Sequence, residues 1–139
     1  GTGSRVEAET EREAREILSF IGLAKWVDQD AHNLPYGYQR ALNVAMAMAT
    51  EPKVLMLDEP VAGMNPVETA EMAKLIRRLR DERGITIVLV EHDMSTVMNL
   101  CEQITVLDFG KKIAEGTPRQ IARNPQVIEA YLGSEESVA

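Results

Sequence analysis

Val54-Leu55-Met56-Leu57-Asp58-Glu59-Pro60 sets four apolar residues directly against two carboxylates and a proline. A short, unbroken apolar run reads as a parallel β-strand covered on both faces. Upstream, Tyr36 to Thr50 carries Leu42, Val44, Ala45, Met46, Met48 and Ala49 with almost no polar face. That pattern predicts a helix buried all round, broken at Glu51-Pro52. Downstream, Asn65-Pro66 with Glu68 three residues after the Asn predicts a capped helix start with Pro in the first turn. Met72, Leu75, Ile76 and Leu79 form its buried stripe, and Gly84 lies just past its end. Ile85 to Val90 is a second buried strand, ending in Glu91-His92-Asp93.

Further out, Ala14, Ile17, Leu18 and Ile21 follow the i, i+3, i+4, i+7 rule of an amphipathic helix over Arg5 to Ile21, with Gly22 as its stop. Asp28 to Asn33 is a polar loop. After His92 the pattern predicts a short helix from Met94 to Leu100 and a strand from Ile104 to Leu107. A turn at Gly110 then leads to a last strand near Lys112 to Ala114. Thr117-Pro118, with Gln120 in capping-box position, and Asn124-Pro125 each open a short helix; Gly133 ends the second, and the last six residues read as a frayed tail. Strands alternating with helices argue for an α/β fold with a parallel sheet.

The chain has 139 residues, 45% apolar and 27% charged, an ordinary globular composition. Fifteen Lys and Arg against 22 Asp and Glu leave a net charge of −7. An acidic chain without a basic run argues against sequence-independent nucleic-acid binding and adhesion to anionic lipid. Cys101 is the single cysteine, so there is no internal disulfide framework, in keeping with a reducing compartment. No stretch approaches the roughly 20 apolar residues that span a bilayer. Gly1-Thr2-Gly3-Ser4, with no initiator Met, reads as a cloning scar. A cytoplasmic location is the expectation.

One helix joins strands 54–57 and 85–90, so a right-handed crossover sends both the same way. Their C-terminal ends share the sheet edge where open α/β folds bind ligands. Asp58 and Glu59 stand at one strand end and His92 at the other, about 4.8 Å apart per strand step. Two carboxylates and an imidazole at such an edge suit metal-assisted hydrolysis: one holds a cation, the second activates water, and the imidazole contacts the transferring group. Asp58-Glu59-Pro60 alone reads equally well as a polar turn. Gly37, just before the long apolar helix, allows close backbone approach to a phosphate at the helix N-terminus; in isolation it is an ordinary loop-to-helix junction. Asp108-Phe109-Gly110 reads as a hairpin turn, since no kinase catalytic or glycine-rich loop accompanies it. His32 and His92 are too far apart in sequence to form a zinc pair. Cys101, Trp26 and the seven methionines read as packing residues.

Together these pieces resemble the ATP-binding subunit of ABC transporters. Leu34 to Arg40 is similar to the signature motif, Val54 to Glu59 to Walker B, Ala62 to Asn65 to the D-loop, and His92 to the switch histidine. Ala62-Gly63-Met64-Asn65-Pro66, Glu91-His92-Asp93-Met94 and the ending Asn124-Pro125 through Tyr131-Leu132-Gly133 resemble the branched-chain amino-acid importer branch, whose pattern urea and amide importers largely share. The resemblance implies a partial P-loop NTPase fold, mostly parallel sheet flanked by helices. It divides the chain into residues 5–50, the end of a helical subdomain, and 51–139, the C-terminal part of the ATPase core. It implies ATP and Mg²⁺ as cofactors of the intact parent, with Asp58 positioning Mg²⁺ and Glu59 as general base. His92 would contact the γ-phosphate, and Asn65 would communicate across a dimer interface. Leu34, Pro35, Tyr36, Gly37, Tyr38 and Gln39 would cap the γ-phosphate of ATP held by a partner subunit.

Two departures stand out: Pro35 replaces the usual small residue, often Ser, and Tyr38 replaces the usual first Gln. The larger one is an absence, because none of the nine glycines begins a G-x-x-x-x-G-K-[ST] loop, so nothing cradles the β- and γ-phosphates. The expectation is a C-terminal portion of a transport ATPase, inactive by itself, whose parent sits on the inner face of the membrane with a second ATPase subunit and permease subunits. An uncovered sheet edge and helix 38–49 would then favour a homodimer or domain swap. A catalytically dead interaction module and a soluble, non-transport ABC ATPase are the competing readings.

Overall fold

The computed structural model describes residues 1–132; the expected helix stop at Gly133 and the tail beyond it lie outside the described residues. The chain divides into two compact units, one spanning Gly1–Val90 and the other beginning at Glu91.

The first unit opens with α1 (Thr2–Ile21), which starts three residues before the expected Arg5 and so runs through the residues set aside as a scar. Ion pairs one turn apart, Arg12–Glu16 at 2.8 Å and Arg15–Glu11 at 3.0 Å, lace its exposed side. Its inward stripe is narrow: Ile17 and Leu18 are half-buried and Ile21 is buried. Gly22 closes it at φ 92°, a left-handed conformation that would strain any other residue. Beyond Gly22 come two short 3₁₀ turns, Ala24–Trp26 and Ala31–Asn33, the second within the expected polar loop.

Next come α2 (Tyr36–Met48), β1 (Val54–Asp58), α3 (Pro66–Arg83) and β2 (Thr86–Val90). The two strands pair in parallel, with Val54 opposite Thr86 and Asp58 opposite Val90, as the single crossover helix required. Asn65 caps α3 as expected, accepting the Glu68 amide at 2.8 Å. The Glu68 carboxylate returns to the Asn65 side-chain amide at 3.1 Å, a side-chain variant of the capping box. Met72, Ala73, Leu75, Ile76 and Leu79 of α3 are buried, and the helix packs on α2 and β2. Phe20 of α1 lies under the guanidinium groups of Arg78 and Arg83, at 4.2 and 4.3 Å from its ring centre, and Arg78 also donates to the Phe20 carbonyl at 2.9 Å.

Two burial expectations are corrected. Only one face of the β1–β2 pair is covered: Leu55 is buried, whereas Val54, Met56, Val88 and Val90 are exposed. Helix α2 likewise buries one side, through Ala41, Val44, Ala45 and Met48, and leaves Met46 exposed. Met46 and Met56 are therefore not packing residues within the described chain. Apolarity states what a surface would cover if a neighbour were present; it does not supply the neighbour.

The second unit contains α4 (Met94–Leu100), β3 (Ile104–Asp108), β4 (Lys111–Gly116), α5 (Pro118–Ala122) and α6 (Pro125–Val127), with a π-turn over Ile128–Leu132. β3 and β4 form a separate antiparallel hairpin with a bulge at Val106/Leu107, so among the described residues parallel pairing is confined to β1 and β2. The expected turn at Asp108-Phe109-Gly110 is present, with both central residues at positive φ. Thr117 and Gln120 make the anticipated capping box, and Asn124 caps α6. Val97, Ile104, Val106, Ile121 and Val127 form the core of this unit, with Cys101 packed against it as a core cysteine would be.

Candidate functional site

Asp58 is the last residue of β1, and its exposure at the strand end follows from the end of the apolar run. Glu59 leaves the strand in a left-handed conformation, φ 47°. Such a backbone costs a non-glycine residue about 1–3 kcal/mol and persists only where the surroundings hold it. Two hydrogen bonds do so here. The Glu59 amide donates to the Val90 carbonyl at the end of β2, 2.8 Å away, and the Glu59 carbonyl accepts from Arg40 Nη2 at 2.6 Å. The carboxylate therefore sits on a backbone pinned to the sheet on one side and to α2 on the other.

The segment before α2 converges on the same loop. Leu34 is buried, and Gln39 donates to its carbonyl at 3.0 Å. Tyr36 donates its hydroxyl to the Ala62 carbonyl at 2.9 Å. A Cβ on Gly63, itself at φ 75°, would stand 3.5 Å from that hydroxyl. Tyr38 lies against Trp26, ring centres 5.7 Å apart. Pro35 precedes the helix and offers it no side-chain cap. The amides of Tyr38 and Gln39 already donate to the Pro35 carbonyl, whereas those of Tyr36 and Gly37 precede every carbonyl the helix could offer them. These two N–H groups at the positive end of the α2 dipole are what the segment can present to an anion. The carboxyl of Asp30 is held below the usual carboxylate range by the His32 backbone amide first and its imidazole second, which fixes the turn entering this segment.

Asp58, Glu59, Asn65 and residues 34–39 thus all belong to the first unit, with Asn65 capping α3 at the far end of the loop that starts at Glu59. His92 belongs to the second unit, two residues past the end of β2, with its side chain 70% exposed. Its ring Nδ1 is 3.6 Å from Glu91. The Glu91 side chain is fully buried; one carboxylate oxygen accepts the His92 and Asp93 amides at 3.1 and 3.4 Å, and the other has no hydrogen-bond partner among the described residues. Glu91, Arg40 and the hydroxyl of Tyr36 carry no sequence signal as organising groups, because their partners are backbone atoms that leave no mark on a motif.

Among the described residues no cluster of three or more His, Cys, Asp or Glu could hold a metal by itself. One strand-end carboxylate suits Mg²⁺ only when phosphate oxygens and water complete its shell. The donor set fits a magnesium–nucleotide complex brought by other residues rather than a resident ion. Chemically, the site offers a carboxylate for a hydrated cation, a rigidly held second carboxylate to accept a proton from water, and two N–H groups for a phosphate.

The model of the ABC transporter family matches residues 2–62, and the branched-chain amino acid ATP-binding cassette transporter model matches residues 111–137. A crystal structure of an ABC transporter's ATP-binding cassette in its ADP conformation superimposes with a TM-score of 0.82 at 30% identity, covering 90% of this chain and 50% of that one. In sequence and in fold the chain is thus similar to the ATP-binding cassettes of ABC transporters. Two of the similar proteins carry names of branched-chain amino acid transport. The high-affinity branched-chain amino acid transport ATP-binding protein LivG of Escherichia coli is 48% identical over 129 residues, which are 93% of this chain and 51% of that protein. BraF of Pseudomonas aeruginosa, of the same description, is 47% identical over 128 residues, 89% of this chain and 50% of that protein. The chain spans about half the length of the curated relatives it matches.

Proposed function

We propose that this chain is the C-terminal portion of the ATP-hydrolysing subunit of an ABC importer, and that the solute is a branched-chain amino acid. The observation that carries the reading is the convergence of Asp58, Glu59 and the N-terminus of α2 on one loop whose backbone is pinned from both sides. In this reading Asp58 orients hydrated Mg²⁺, and Glu59 takes the proton of the attacking water. His92 contacts the γ-phosphate. The Tyr36 and Gly37 amides, within the segment Leu34–Gln39, cap the γ-phosphate of a nucleotide held by a second ATPase subunit, and Asn65 faces that subunit. Permease subunits would hold the pair on the inner face of the membrane; no helix of the described chain is long and apolar enough to cross it. The names of the relatives favour branched-chain amino acids over urea or amides.

The chain contains no phosphate-cradling glycine loop, so it is expected to bind Mg-ATP weakly or not at all by itself and not to turn it over. Calorimetric titration of the 139-residue chain with Mg-ATP checks this. Absence of heat above the buffer blank is the expected result, and micromolar binding would overturn the reading of the chain as an incomplete site.

The exposed strip Val54, Met56, Val88 and Val90 supports a second expectation, that the isolated chain self-associates through this face or by exchanging elements. Light scattering across a concentration series should give a mass rising above 15.4 kDa. A monomer mass independent of concentration would count against it.

A further inference from the structure

Tyr36 and Arg40 stand four residues apart on α2, so their side chains leave the same face of the helix. Both reach the loop after β1 and both donate to its carbonyls: the Tyr36 hydroxyl to Ala62 at 2.9 Å, and Arg40 Nη2 to Glu59 at 2.6 Å. The loop is closed between these points by its own turns, Ala62 N–H to the Glu59 carbonyl and Met64 N–H to the Val61 carbonyl, each 3.1 Å. The Glu59 carbonyl thus accepts two donors, one of them charged, and charge-assisted bonds are the stronger kind. On its other side the Glu59 amide is held by Val90.

We propose that Tyr36 and Arg40 are positioning residues that strap the 59–63 loop to the first turns of α2. The N–H groups at the Gly37 end of that helix and the carboxylate of Glu59 then move as one piece. The inference rests on the reading of Glu59 as the general base and deepens it. An anion drawn to the Tyr36 and Gly37 amides cannot shift α2 without also shifting the backbone that aims Glu59. Proton acceptance is thereby tied to occupation of the phosphate-facing end. Neither side chain touches the reacting atoms in this scheme; both act through backbone carbonyls.

The strap is tested by amide hydrogen exchange of the 139-residue chain without nucleotide, followed residue by residue by NMR. Losing one such hydrogen bond corresponds to a change in local opening of about three- to tenfold. Arg40→Ala is expected to speed exchange of the Glu59 and Ala62 amides by that factor while Ile76 and Leu79 in α3 keep their rates. Arg40→Lys, which retains a cation and a donor, is expected to recover part of the protection. Tyr36→Phe, which removes one oxygen and leaves the ring packed, is expected to speed exchange at Met64 and Ala62. Unchanged Glu59 and Ala62 rates in Arg40→Ala would overturn the proposal. So would an equal rise throughout α3, or a Lys variant no better than Ala. Because the readout needs no hydrolysis, it judges the strap alone; turnover of a Glu59→Gln variant judges the base.

Discussion

On the proposed reading, replacing Glu59 by Gln is expected to lower the ATP turnover of an intact ATPase subunit containing this stretch by about 10²–10⁴-fold, the range that a positioned general base contributes. The substitution is nearly isosteric. The two hydrogen bonds that hold the position, amide to Val90 and carbonyl from Arg40, belong to the backbone and survive it. The left-handed φ of 47° burdens Gln and Glu alike, so the variant retains the loop that Tyr36 and Arg40 brace. What disappears is the capacity to accept a proton, since a side-chain amide is not basic near neutral pH. Steady-state phosphate release by wild-type and variant subunits provides the comparison. Turnover within a few-fold of wild type would mean that another group accepts the proton and that Glu59 serves the loop rather than the chemistry.

The largest stability effect is expected at Leu79, which is completely buried in the second turn from the end of α3. Leu79→Ala removes three carbons from a site enclosed on every side, and large-to-small substitutions of this kind cost about 2–5 kcal/mol. The carbonyl of Leu79 also accepts the Gly84 and Ile85 amides that end the helix, so relaxation into the cavity is resisted by the cap. On the same helix Val67 is 73% exposed, and Val67→Ala should stay within about 0.5 kcal/mol of wild type. Urea unfolding of both variants, compared with wild type, measures the contrast. Equal effects at the two positions would show that α3 does not form the core of the first unit.

Much of the site could be read before any coordinate. The strand ending at Asp58, the N-caps at Asn65, Thr117 and Asn124, and the turn at Phe109-Gly110 all stand where the sequence placed them. Each is local. A carboxamide or hydroxyl three residues before an orphan amide, or a glycine where φ must be positive, acts within one turn of chain and leaves its mark there. Nothing in the sequence reports the proximity of the signature-like segment to Glu59. The bonds that create it join residues 19 and 26 positions apart and end on backbone oxygens, which every residue has.

By itself, then, the sequence determined the order and type of the elements, the parallel pairing of β1 with β2 and the pair of carboxylates at the strand end. These follow from side-chain periodicity, capping and the handedness of a single crossover. Only the tertiary structure decided which faces are covered and how Glu59 is held. Met56 and Leu55 are equally apolar neighbours, yet one is 74% exposed and the other 6%. The difference lies in what packs against each, because burial belongs to a pair of surfaces and a strand carries only one of them.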